Sequence, residues 1–349
     1  MWNVFEKVSF ERRGVVEFSE VTINHNYFET DTLTFTIPYT KQNYDLLKEG
    51  YVIQRKKEKK GFLIHTIEIL EGSDTIWGYA YGFESILDDR VVIFPRNFNT
   101  NAETIMHTLV NENMINAGMT FRNFNNLTKT ANQGRGSLSE ESYWGESLYK
   151  IFTDLSRRFG IGFKIHFLPR ENRYEFFTYV GNDHTVMNAE RPIRWVHEFN
   201  DTYDESLITS VKNEKTHIYV VSGDETPEQV LLGDELAFKQ GFLRKETFHH
   251  AVDITKTLAD ENQTVLTLAE VHALLRSRGK LELLNHRKVT DYEFTLSETV
   301  DEKYGIDFFE GDLVSVVHQG YGIVKHQRIA TVEEVITGDV SRFNVKFDK

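Results

Sequence analysis

The sequence predicts an α+β chain that is mainly β, in which two small β-barrels flank an α+β insert. Three features point there. Short runs of alternating apolar and polar residues fill the first ninety positions and return in the last third. Between them the apolar spacing lengthens to that of amphipathic helices. The two β regions also echo each other in sequence. At 349 residues the chain is long enough for more than one core.

Residues 1–95 read as the first barrel, with part of 180–210 available to complete it. Leu33-Thr34-Phe35-Thr36-Ile37 alternates and Pro38 ends the run. Tyr51-Val52-Ile53 and Phe62 to Ile69 flank Arg55-Lys56-Lys57-Glu58-Lys59-Lys60, which reads as the solvated tip of a hairpin. Thr75 to Tyr81 follows a turn at Glu71-Gly72-Ser73-Asp74.

Residues 96–180 read as the insert. Thr100 and Glu103 have capping-box spacing, and Ala102, Ile105, Met106, Leu109 and Val110 form one helical stripe. After an Asn- and Gly-rich loop near 122–137, Leu148, Ile151, Phe152, Leu155 and Phe159 mark a second helix, with Gly160 suited to end it. Strands resume at Gly162 to Phe167 and at Arg173 to Phe177.

Residues 205–349 read as the second barrel, with strands at Ile218–Val221, Tyr292–Leu296 and Leu313–Val317. One helix is expected near 267–278, started by Thr267 and Glu270 and stopped by Gly279. Leu33-Thr34-Phe35 precedes Glu49-Gly50 by the same interval that separates Phe294-Thr295-Leu296 from Glu310-Gly311. Such an echo has two readings, duplication and coincidence.

Composition narrows the function. A net charge of −13 gives the long-range field the wrong sign for stable nucleic-acid binding through phosphates. With no cysteine there is no disulfide, thiolate metal site or cysteine nucleophile. The N-terminus lacks a secretory h-region, and no apolar run reaches the roughly 20 residues of a membrane span. Synthesis in a cytoplasm without an export signal is expected.

The search for chemistry yields no catalytic, cofactor-binding or metal-ligating residue. Asp88-Asp89, Glu140-Glu141 and Asp204-Glu205 are adjacent carboxylates, which point to opposite faces of a strand. His249-His250 with Asp253 lacks the i, i+4 spacing of a helical zinc pair and reads as a surface strand. His65 and His166 sit singly in alternating strands. Gly134-Arg135-Gly136 lacks the ending of a phosphate-binding loop. Asn126-Leu127-Thr128 and Asn262-Gln263-Thr264 match the glycosylation pattern, which carries no meaning without export.

From Gly82-Phe83-Glu84-Ser85-Ile86-Leu87-Asp88-Asp89-Arg90 onward the chain resembles a known family. With Asn101-Ala102-Glu103, Leu109-Val110-Asn111-Glu112-Asn113, Tyr203-Asp204-Glu205-Ser206-Leu207, Lys212-Asn213, Gly241 to Glu246 and Glu310-Gly311-Asp312-Leu313-Val314, it is similar to the Gp37-like tail proteins of siphoviruses and Gram-positive prophages. The resemblance covers roughly residues 3–345 and rests on the ordered series more than on any one motif.

The resemblance implies a T4-type baseplate hub at the virion tail tip. Three chains would form a ring whose six similar barrels adapt sixfold to threefold symmetry. Its implied partners are a distal tail ring protein, a tape-measure protein and tip or fibre proteins, with no cofactor and no enzymatic activity. Related tail-associated proteins often continue into a long C-terminal region with wall-cleaving or host-binding modules; with the sequence ending at Phe347-Asp348-Lys349, no such module is expected here. The alternatives are a cell-wall-degrading or carbohydrate-binding tail protein, and the hub of a contractile bacteriocin-type injector.

Overall fold

The computed structural model describes residues 1–187, 191–233, 241–257, 264–297, 300–338 and 340–348. Asn262 and Gln263 of the second glycosylation pattern lie outside the described residues.

The first region forms β1 (Trp2–Glu6), β2 (Arg12–Val16), β3 (Glu20–Asn26), β4 (Thr32–Pro38), β5 (Tyr51–Arg55), β6 (Phe62–Glu68) and β7 (Thr75–Gly82), with the short helix α1 (Lys41–Leu46) before β5. They are ordered β3-β4-β7-β6-β5-β1-β2. Alternation does what the sequence predicts in β4, where Leu33, Phe35 and Ile37 are buried between half-exposed threonines. The sheet curls, because Val16 of β2 and Val21 of β3, from opposite ends of the run, share one core with Trp2, Phe35 and Ile53. Phe18, on the β2–β3 link, sits against the rings of both Trp2 and Phe35.

The insert contributes β8 (Arg96–Asn101), α2 (Ala102–Val110), β9 (Leu127–Lys129), β10 (Leu138–Tyr143), α3 (Leu148–Phe159), β11 (Gly162–Leu168) and β12 (Arg173–Tyr179). Its core joins both helices to Phe163, Ile165 and Phe176, and takes in Phe5, Val52 and Leu63 from the outer face of the first sheet. β1, β5 and β6 are therefore buried on both faces. That is why they lose strict alternation and carry consecutive apolar residues.

The end of α3 follows the sequence: Gly160 closes it in the left-handed region at φ 65°, while Ser147 caps its start. The start of α2 differs. Asn101, not Thr100, caps α2 by accepting from the Thr104 N–H at 2.9 Å, and Glu103 turns away to Arg135 and Thr178.

The chain then forms β13 (Arg194–Val196), β14 (Thr202–Ser210), β15 (His217–Ser222), β16 (Gln229–Gly233), β17 (Glu246–Ala251), α4 (Leu268–Leu284), β18 (Val289–Leu296), β19 (Leu313–His318), β20 (Ile323–Thr337) and β21 (Val340–Phe347). The sequence places β15 in the second barrel, but β16-β15-β17 is a separate sheet roofed by α4. The Thr267–Glu270 capping box forms as expected. Gly279 does not stop the helix, which runs on to Leu284. Gly279 faces the sheet so closely that a Cβ there would stand 2.1 Å from Leu232 and 2.8 Å from Val220. Its role is close packing.

The remaining strands run β14-β18-β21-β20-β19-β13. Laid beside β3-β4-β7-β6-β5-β1, the hydrogen-bonding order repeats strand for strand. Glu49-Gly50 leads into β5 and Glu310-Gly311 into β19, with both glycines at positive φ, 80° and 97°. The repeat is imperfect at one end, where β13 pairs parallel with β19 while β1 pairs antiparallel with β5.

Among the described residues no ladder closes either half into a ring, so the expected pair of independent closed barrels is not what the hydrogen bonds form. The halves share a single 13-stranded sheet. At 15 residues, β20 is about twice as long as its counterpart β6, at 7. Its second half runs past β19 and, still paired with β21 along one edge, pairs along the other with the open edge of β3, from Thr331↔Asn26 to Thr337↔Glu20.

Gly181 lies where the insert meets the second half. A Cβ there would come within 1.9 Å of the Gly311 carbonyl oxygen, a backbone atom that cannot rotate away. Gly181→Ala is expected to cost about 1–3 kcal/mol in urea unfolding by overpacking. Gly118→Ala, whose Cβ meets nothing within 4 Å, should stay within about 0.5 kcal/mol.

Candidate functional site

The most concentrated chemistry lies at the seam between the halves. His25 on β3 sits at the inward parity of Val21 and Ile23, and Glu334 on β20 at that of Val332. Their register brings them together: His25 Nε2 lies 3.3 Å from Glu334 Oε2. Arg55, at the base of the β5–β6 hairpin, donates to the same oxygen at 2.8 Å. Lys60, at the other side of that hairpin, donates to Glu310 at 2.7 Å and lies 3.1 Å from Asp31 and from His25 Nδ1. An ammonium only donates, so His25 Nδ1 accepts and its Nε2–H is left to donate to Glu334. Lys164 from the insert donates to the Asp31 carboxylate and to the Asn26 carbonyl. The Tyr304 hydroxyl donates to Glu310 at 2.6 Å.

Asp31, Lys164, Glu310, Glu334 and His25 are all buried. Charge balance makes this possible: three carboxylates face Lys60, Lys164 and Arg55. Burial pushes the Asp31 carboxyl up, but Lys164 and Lys60 outweigh it and hold it well below its usual range. Burial likewise opposes charge on Glu334, yet the His25 and Arg55 contacts bring it from 4.5 to about 2. Glu84, close by, has no such surplus of cations, and burial raises it. These carboxylates are ion-paired and enclosed, so they are not placed to act on a substrate.

A second cluster sits at the edge of the C-terminal half. Glu205 lies at a bulge in β14, where Asp204 takes φ 51° and turns outward. The Glu205 side chain is held by His197 Nδ1 at 2.7 Å, His318 Nε2 at 2.8 Å and the Thr202 hydroxyl. The two imidazoles stack with centroids 4.1 Å apart. The three ligand-type groups lie close enough for a metal ion. The tautomer argues against it, because His318 Nδ1 accepts the Tyr321 N–H at 3.1 Å, leaving the proton on Nε2, the atom facing Glu205. The cluster ties the β13–β14 turn to the end of β19, where no ladder connects β13 with β14.

Most residues weighed from sequence take up structural roles. Asp88 and Asp89 are exposed at the end of a 3₁₀ turn. Glu141 is buried against Arg158, Ser277 and Tyr143. Asp253 pairs with Arg278, and His249 faces Glu282, so His249, His250 and Asp253 do not converge. His65 lies edge-on to Tyr81. Burial, then Lys59, lowers His166 to about 4. Gly134-Arg135-Gly136 places Arg135 on Glu103. The basic run departs from expectation: its outer lysines are solvated, while Arg55 and Lys60 point inward to the seam. Nothing in the local spacing joins these seam residues to one another. The available signal is a polar or charged residue at an inward parity, as with His25 after Val21 and Ile23 and Glu334 after Val332.

Because Glu334 is held below its unfolded value, its stabilisation is present above about pH 4.5 and disappears as pH falls toward 2. Glu334→Gln should lose about 3 kcal/mol in urea unfolding at pH 7. The difference from wild type should shrink through pH 4 and vanish near pH 2. A gap constant over that range would refute the assignment. Equimolar Zn²⁺ should leave the melting temperature within about 1 °C, since a tight site would raise it by linkage.

Comparison with curated proteins finds no match. The fold is similar to that of three solved prophage or bacterial tail proteins. The prophage MuSo2 43 kDa tail protein from Shewanella oneidensis has a TM-score of 0.61 at 10% identity, covering 100% of this chain and 98% of that one. The tail protein from Neisseria meningitidis MC58 gives 0.58 at 10%, covering 100% and 96%. The prophage tail protein gp18 from Listeria monocytogenes EGD-e gives 0.56 at 12%, covering 100% and 94%. Identities this low speak to fold alone. In sequence, residues 1–347 match the family described as Siphovirus ReqiPepy6 Gp37-like protein, and the chain belongs to that family.

Proposed function

We propose that this chain is a structural hub subunit of a phage tail tip that assembles as a homotrimeric ring. The observation that carries the reading is the repeated strand order of the two halves. A subunit holding two similar sheets, taken three times around an axis, presents six similar edges to a sixfold tube and three whole chains to the tip. Its partners on this reading are the distal tail ring protein above, the tape-measure protein and the tip or fibre proteins. The shared fold with prophage tail proteins supports it. The reading is non-catalytic, consistent with seam carboxylates that each meet a cation.

Three acidic chains around one channel would also give a passage that does not hold DNA by its phosphates. Gel filtration with light scattering should give a mass three times 40.7 kDa. A monomeric mass up to about 100 μM, beyond the range of a useful assembly interface, would overturn the trimer.

A further inference from the structure

We propose that the basic groove between α3 and α4 receives the acidic β18–β19 loop of a second copy of this chain. This rests on the ring reading and names the surfaces that make the ring.

The groove, about 1060 Å³, is bounded by the C-terminal ends of α3 and α4 and the start of β10. Seven basic and two acidic side chains line it, on a chain of net charge −13. Arg158 is committed to Glu141 and Arg157 to Glu29. Arg276, Lys280, Arg287 and Lys288 are exposed and form no ion pair among the described residues. Arg276 and Lys280 stand one helical turn apart on the same face, where their like charges repel and an anionic partner would relieve them. Leu283 and Leu284 give the groove an apolar element.

Residues 300–312, which lead into β19, have the opposite character. Asp301, Glu302 and Asp307 form no ion pair among the described residues, and Lys303 is the only basic residue between them. Ile306 is 73% exposed and Phe309 42%, an apolar tip within an acidic rim. None of the described residues of the loop lines the groove of its own copy. Groove and loop are different patches, so their pairing is head-to-tail, the contact type that closes a ring.

Arg276→Glu with Lys280→Glu, and separately Asp301→Lys with Glu302→Lys, should each weaken self-association about tenfold or more by light scattering. Their circular dichroism should remain that of wild type. Combining all four changes restores opposite charges and should restore assembly. Salt at about 0.5 M should weaken the wild-type oligomer. Assembly unchanged by either pair of reversals would overturn the groove assignment while leaving the ring reading intact. A wild type that stays monomeric throughout would overturn both. Retention of single-stranded DNA that the groove variant loses, with self-association unaltered, would assign the groove to nucleic acid and overturn the proposal.

Discussion

The seam between the two halves depends on a buried balance of charge. Asp31, Glu310 and Glu334 could not be enclosed alone, because an uncompensated carboxylate in a protein interior costs several kcal/mol. Lys60, Arg55 and Lys164 make their burial tolerable, and these cations come from two separate elements. Two stand at the ends of one hairpin and the third on β11 of the insert. The network therefore exists only when the first sheet, the insert and the β20–β21 hairpin are all docked. Losing any one member strands a charge, which makes the seam cooperative in a way a purely apolar contact would not be.

The backbone supports the same junction by another route. β20 is long enough to pair with β19 along its first half and then, past the end of β19, with β3, while β21 holds its other edge. The overhang carries Glu334 to His25 and Arg55, so strand length and charge placement are one device. It also covers an edge of β3 that would otherwise be free to pair with another chain. The insert performs a similar service on the far side, where Phe5, Val52 and Leu63 leave the first core and enter its own. Two halves of repeated strand order thus become one continuous sheet.

Local structure was legible wherever the signal was local. The stripes of α2 and α3, the Thr267–Glu270 cap, Gly160 and the alternation of β4 all follow from spacing and backbone preference. The misreadings share a physical cause, which is that a distant partner decided the outcome. Gly279 has the composition of a helix stop, but the sheet beneath α4 needed its missing side chain. Glu103 had capping spacing, but Arg135 and Thr178 offered it better partners. Arg55 and Lys60 looked like a solvated tip because Glu334 and Glu310, which draw them inward, lie 279 and 250 residues away in sequence.

The sequence by itself determined the strand-rich ends, the mixed middle and the Glu-Gly echo, since periodicity and turn chemistry act over a few residues. Only the tertiary structure decided that the echo is a repeat of strand order, that the halves fuse through β3 and β20, and that β15–β17 stand apart under α4. Strand partners are chosen by which edges and faces remain open after the neighbouring elements have packed, and that information is spread over the whole chain.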